Sequence, residues 1–207
     1  RDALFDHTNR LHAQHDALVA TLRAEGAEVV FLDDVEDDGI KSVYTRDSSF
    51  AVKGGAIVTR LARTIRRGEE AHVSKTLANL GMPILRTIHG EGMVEGGSFA
   101  WLNSETAVIG RSICVNDTGI RQVAQVLEEQ GVELLVVDMG GYHIHIDGAL
   151  CMLDKDVAII DPNQLPYWFL QRLEAMGIRT VETTPADSSW IINCLAVSPG
   201  RVIMPPG

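Results

Sequence analysis

A phrase of about fifty residues, written four times, limits what this chain can fold into more than any other feature. Each phrase has an amphipathic helix closed by glycine, a short apolar strand, a loop, and a hairpin of two apolar strands. The closing glycines are Gly26, Gly81, Gly131 and Gly177. The strands after them read Val29-Val30-Phe31-Leu32, Ile84-Leu85, Leu134-Leu135-Val136-Val137 and Ile178-Arg179-Thr180-Val181. The hairpins turn at Lys53-Gly54-Gly55, Asn103-Ser104, Asp154-Lys155-Asp156 and Ser198-Pro199-Gly200. A fixed period of this length marks a repeat architecture, whose equivalent positions point the same way relative to a common axis. Charged motifs stand at that beat: Tyr44-Thr45-Arg46-Asp47, Glu95-Gly96-Gly97, and His143-Ile144-His145-Ile146-Asp147, with residues 190–193 fourth. Asp47, Glu95 and His145 are therefore expected to converge, although far apart in sequence.

Helical stripes set the rest of the reading. Leu11, Leu18 and Leu22 predict a helix over about 8–24, and two acids open another at 69–80, favourable at a positive helix end. Asp117 or Thr118 is the expected cap of the third, and Pro166 opens the fourth. The hairpin strands are mostly apolar, as in strands covered on both faces. The class is α/β, with central strands and peripheral helices. No linker or low-complexity stretch interrupts the 207 residues, so residues 1–207 read as one domain, with segments missing at both ends.

Bulk properties exclude several classes. A net charge of −10 disfavours nucleic acid and anionic membrane surfaces, and no apolar run is long enough to span a bilayer. Three scattered cysteines, Cys114, Cys151 and Cys194, lack disulfide-scaffold or zinc spacing and suit a reducing cytoplasm.

Each motif has two readings. Asp47 either binds a planar cation through paired hydrogen bonds or forms a local turn or ion pair with Arg46. Glu95 stands before two glycines that allow close approach or make a bulge. His143, His145 and Asp147 alternate along extended chain, so they supply either an acid/base histidine with a carboxylate neighbour or metal ligands. Arg66, in Arg66-Arg67-Gly68-Glu69, is either a carboxylate clamp or part of an exposed basic pair. Cys151 and Cys194 lie in apolar strands, where thiols are usually inert; Cys114 precedes a helix start, where thiolates are favoured.

Five motifs in order resemble the guanidine-modifying superfamily of arginine deiminase, dimethylargininase and the amidinotransferases. They are Tyr-Thr-Arg-Asp at 44–47, Arg-Arg-Gly-Glu at 66–69, Glu-Gly-Gly at 95–97, Ile-Gly-Arg-Ser at 109–112 and His-Ile-Asp-Gly at 145–148. The resemblance implies a five-bladed ββαβ propeller, the pentein fold, here incomplete at both ends. It implies hydrolysis of a C–N bond in a substituted guanidine, arginine or a derivative, with no metal and no organic cofactor. His145 would be the general acid/base and Glu95 would hold and polarise the guanidinium. Asp47 and Asp147 would bind it, and Arg66 would grip the substrate carboxylate. The nucleophile would be a cysteine beyond Gly207, forming a covalent amidino-cysteine. Cys114 stands where the family commonly has an arginine for the α-carboxylate, which leaves the exact guanidine open. An amidinotransferase, a catalytically silent guanidine-binding homologue, and a metal hydrolase built on His143, His145 and Asp147 are the alternatives. A homo-oligomer is compatible with all of them.

Overall fold

A computed structural model describes residues 2–32, 42–188 and 190–204. Residues 205–207, where the reading placed the cut C-terminal end, lie outside them. The chain falls into two compact units, residues 1–31 and 32–207. The first is one helix, α1 (Asp2–Ala24), longer than the leucine stripe suggested. It ends at Gly26, whose φ of +88° is left-handed and favours glycine.

The expected strand at Val29-Val30-Phe31-Leu32 does not form. These residues have no laddered neighbour among the described residues. Apolar β-branched residues favour a strand, but backbone N–H and C=O groups make one only when a partner pairs with them.

The second unit repeats a hairpin, a helix and a returning parallel strand. Strands β1 (Ser49–Val52) and β2 (Gly55–Val58) form a hairpin. After α2 (Glu69–Asn79), β3 (Ile84–Thr87) returns to pair in parallel with β2. The pattern recurs with β4 (Phe99–Trp101), β5 (Thr106–Arg111), α3 (Asp117–Glu129) and β6 (Glu133–Asp138). A third copy is β7 (Leu150–Asp154), β8 (Val157–Ile160), α4 (Tyr167–Ala175) and β9 (Arg179–Glu182). Strands β10 (Leu195–Ser198) and β11 (Arg201–Ile203) make a fourth hairpin. Thus the strand after each glycine-closed helix belongs to the sheet of the preceding hairpin. Gly81, Gly131 and Gly177 are left-handed like Gly26, so the closing beat is a backbone requirement.

The middle strands β2, β5 and β8 are almost wholly buried, as their apolar runs require. Helix α3 presents Ile120, Val123, Val126 and Leu127 to a core shared with Ile57, Phe99 and Ile109. A second core joins Val108 and Val137 to Leu150, Ile160, Phe169 and Leu173. The cap of α3 is Asn116, whose Oδ1 accepts from the Gly119 amide at 2.9 Å, in place of Asp117 or Thr118. The same oxygen accepts from the Met93 amide at 3.0 Å. That second bond ties the helix start to the loop before Glu95, which neither Asp117 nor Thr118 does. No helix among the described residues is long and apolar enough to cross a membrane.

Candidate active site

A single 3-10 turn precedes the first strand of each of the first three hairpins, at Thr45–Asp47, Gly96–Ser98 and Ile146–Gly148. The three turns lie side by side. Glu95 and His145 occupy the same position, directly before their turns; Asp47 and Asp147 lie within theirs. This is how three distant motifs come to one place.

His145 Nε2 and Glu95 Oε2 are 2.7 Å apart. The other ring nitrogen, Nδ1, lies 3.7 Å from Asp47 Oδ1 and 3.9 Å from Asp147 Oδ1. Asp47, Glu95 and Asp147 are all buried. The second oxygen of Glu95 accepts from the Ala62 amide at 3.0 Å. The segment carrying His145 is held through the Ile144 carbonyl, which accepts from the hydroxyls of Ser112 at 2.6 Å and Ser98 at 3.2 Å.

Charge states follow from these contacts. Burial pulls the His145 imidazole downward, but its bond to Glu95 and the charges of Asp47 and Asp147 outweigh that and raise it above its ordinary value. Burial pushes Glu95 upward; its bonds from His145 and the Ala62 amide, with the Arg66 charge, hold it lower than usual. Burial raises Asp147 despite Arg46, 3.2 Å away, and His145. The result is a stable imidazolium among carboxylates, with a hydrogen-bond donor already pointed at one of them.

Three side chains have surroundings that the sequence reading did not give them. Arg66, expected to grip a substrate carboxylate, is buried in an ion cluster. Its Nε and Nη2 lie on Glu69 at 2.9–3.2 Å, and its Nη1 lies 2.7 Å from Asp47 Oδ2. Those charged partners outweigh burial and raise the guanidinium pKa. The Arg-x-x-Glu spacing signalled the first contact; the second joins chain segments 19 residues apart and left no local signal. Arg46, read with Asp47, pairs instead with Asp147 of another repeat. Cys114 is buried, with its sulfur within 4.8 Å of a Glu95 oxygen; burial and that carboxylate push its pKa up to about 12, against the thiolate expected of a helix start.

Among the described residues, Glu95, Cys114 and His145 bring ligand-type atoms within 4.8 Å of one another. His143 is exposed and joins no such group among the described residues, so the His143, His145, Asp147 metal set is not assembled.

The family model for eukaryotic N,N dimethylarginine dimethylhydrolase matches residues 5–187. This chain belongs to that family. It is 26% identical over 194 residues to the N(G),N(G)-dimethylarginine dimethylaminohydrolase of Pseudomonas aeruginosa, covering 94% of this chain and 72% of that protein. The Streptomyces coelicolor protein of the same name is 27% identical over 165 residues, covering 76% of this chain and 62% of the relative. The Pseudomonas aeruginosa structure complexed with citrulline superposes with a TM-score of 0.78 at 26% identity, again over 94% of this chain and 72% of that one.

Proposed function

We propose that this family member hydrolyses a C–N bond of a substituted guanidine, with methylated arginine as the first substrate to try. The observation that carries the reading is the 2.7 Å Glu95–His145 pair with Asp47 and Asp147 beside the ring. A guanidinium carbon is resonance-stabilised and a poor electrophile, so the group has to be held as a cation by carboxylates. Asp47 and Asp147 bind its N–H groups, and Glu95 holds it and draws charge away from the carbon. Arg66, whose guanidinium nitrogens are taken by Glu69 and Asp47, holds Asp47 charged and in place for that contact.

A thiolate from a cysteine beyond Gly207 attacks the carbon, and the C–N bond breaks as His145 gives its proton to the departing amine. This leaves an amidino-cysteine and a neutral imidazole. His145 then takes a proton from water, whose oxygen attacks the same carbon, and the thiolate leaves a urea-bearing product. The proton-holding His145 suits the first step. The five-bladed arrangement belongs to the same proposal, supported by three ββαβ units with the same strand order and a fourth hairpin. So does a cytoplasmic setting, supported by three free cysteines.

The test is release of alkylamine or ammonia from full-length protein given methylated arginines or arginine. Release, with a cysteine-bound adduct in mass spectra of quenched protein, is expected; guanidine binding without release would point to a silent homologue. Activity abolished by strong chelation and restored by zinc would move the chemistry to the Glu95, Cys114 and His145 trio. Guanidine passed to an added amine would indicate transfer.

A further inference from the structure

Two of the three cysteines have no part in that site. Cys151 lies in β7, and Cys194 immediately precedes β10, a strand that runs beside β7. The Cys151 thiol donates to the Cys194 carbonyl at 3.5 Å, which brings the two residues into contact across the hairpins. Both are free, and they share a small apolar cluster with Ile159, Ile192, Leu153 and Val202. Cys194 is 4% exposed, so a bulky external thiol is kept away while its neighbour is already in contact. Cys114 is not a competitor, because it lies in the Glu95 and His145 group and outside this cluster.

We propose that Cys151 and Cys194 form an oxidation site, which a hydroperoxide closes into a disulfide between the third and fourth hairpins. The Cys151 thiol keeps its proton on the Cys194 and Met152 carbonyls, at 3.5 and 3.6 Å, while Cys194 is drawn below its ordinary value. Cys194 is therefore the attacking thiolate. Its sulfur takes the near oxygen of the peroxide, the O–O bond breaks, and the leaving oxygen departs as water with the proton released from Cys194. The sulfenic acid formed is attacked by the Cys151 sulfur; the S–O bond breaks, and the hydroxyl leaves as a second water with the Cys151 proton. Two thiols lose two electrons, and one peroxide becomes two waters. The link lies four residues beyond Asp147, with Arg46 charged beside both sulfurs. A reducing cytoplasm would reopen it.

Native full-length protein is treated with a few equivalents of hydrogen peroxide, its remaining thiols are alkylated, and unreduced peptides are mapped by mass spectrometry. The expected result is a linked peptide pair carrying Cys151 and Cys194, about 2 Da lighter than the two thiol peptides together. A reducing agent restores both thiols. Cys114→Ser retains the linked pair, and Cys151→Ser and Cys194→Ser lose it. Because the decisive map is made on unaltered protein, poor folding of a variant does not blur the answer. A bond involving Cys114, a cross-link between chains, or sulfinic acid at Cys194 with Cys151 still alkylated would overturn the proposal.

Discussion

Glu95 is buried with every oxygen engaged: the Ala62 amide on one, the His145 imidazole on the other. Replacing it with glutamine keeps the shape but removes the charge that favours imidazolium. Glu95→Gln and His145→Ala should each lower kcat at least ~100-fold in full-length protein while circular dichroism stays unchanged. A variant that turns over normally would lose its assigned role. The two shifts also make a stability prediction. His145 is raised, so its contribution is full below about 6.5 and fades as pH climbs through its folded value. Glu95 is lowered, so its contribution is full above about 4.3 and fades as pH falls through its folded value. Urea midpoints should therefore be highest between these limits, and Glu95→Gln should flatten the fall on both sides. A wild-type profile matching that of the variant from pH 3 to 9 would contradict the ion pair. Arg66 carries a different load: Arg66→Met strands Asp47 and Glu69 without their cation and should cost about 3–5 kcal/mol in chemical denaturation. A loss below ~1 kcal/mol would mean that water already reaches those acids.

At the scale of elements, the site depends on how closely the three 3-10 turns approach. A Cβ on Gly97 would stand 2.6 Å from His145 Nδ1 and 2.9 Å from Asp147 Oδ2, and one on Gly96 would collide with the Arg46 carbonyl. The two glycines of Glu95-Gly96-Gly97 therefore serve contact between repeats rather than a bulge in one strand. Gly97→Ala pushes the imidazole off Glu95 and should lower kcat ~100-fold, the scale of a 1 Å displacement. Its melting temperature should move little, because the ring has some room at the site's open side. Unchanged kcat in Gly97→Ala would place the imidazole elsewhere during turnover. Ser112 is a quieter member of the same device. Its hydroxyl fixes the Ile144 carbonyl, so the Ile-Gly-Arg-Ser motif holds the histidine segment 32 residues away.

For the molecule as a whole, stability rests on two cores that cross repeat boundaries. Phe169 of α4 is fully buried, so Phe169→Ala should cost about 3–5 kcal/mol. Tyr142, 93% exposed beside the histidine segment, should tolerate serine within ~0.5 kcal/mol. Equal denaturation midpoints for the two variants would refute this division. Asp147 is named through the family resemblance; the repeat period, the four left-handed glycines, the apolar middle strands and the meeting of Asp47, Glu95 and His145 were all readable from residue order. Each follows from local rules, either a φ angle or an apolar run, applied at a constant interval. What required the folded chain was which partner each side chain meets: no paired strand for Val29 to Leu32 among the described residues, Arg66 turned onto Asp47, Arg46 paired with Asp147, and Cys114 buried near Glu95. Periodicity says which way a side chain points, but only packing says which charge from another segment it meets there, and that neighbour sets its protonation.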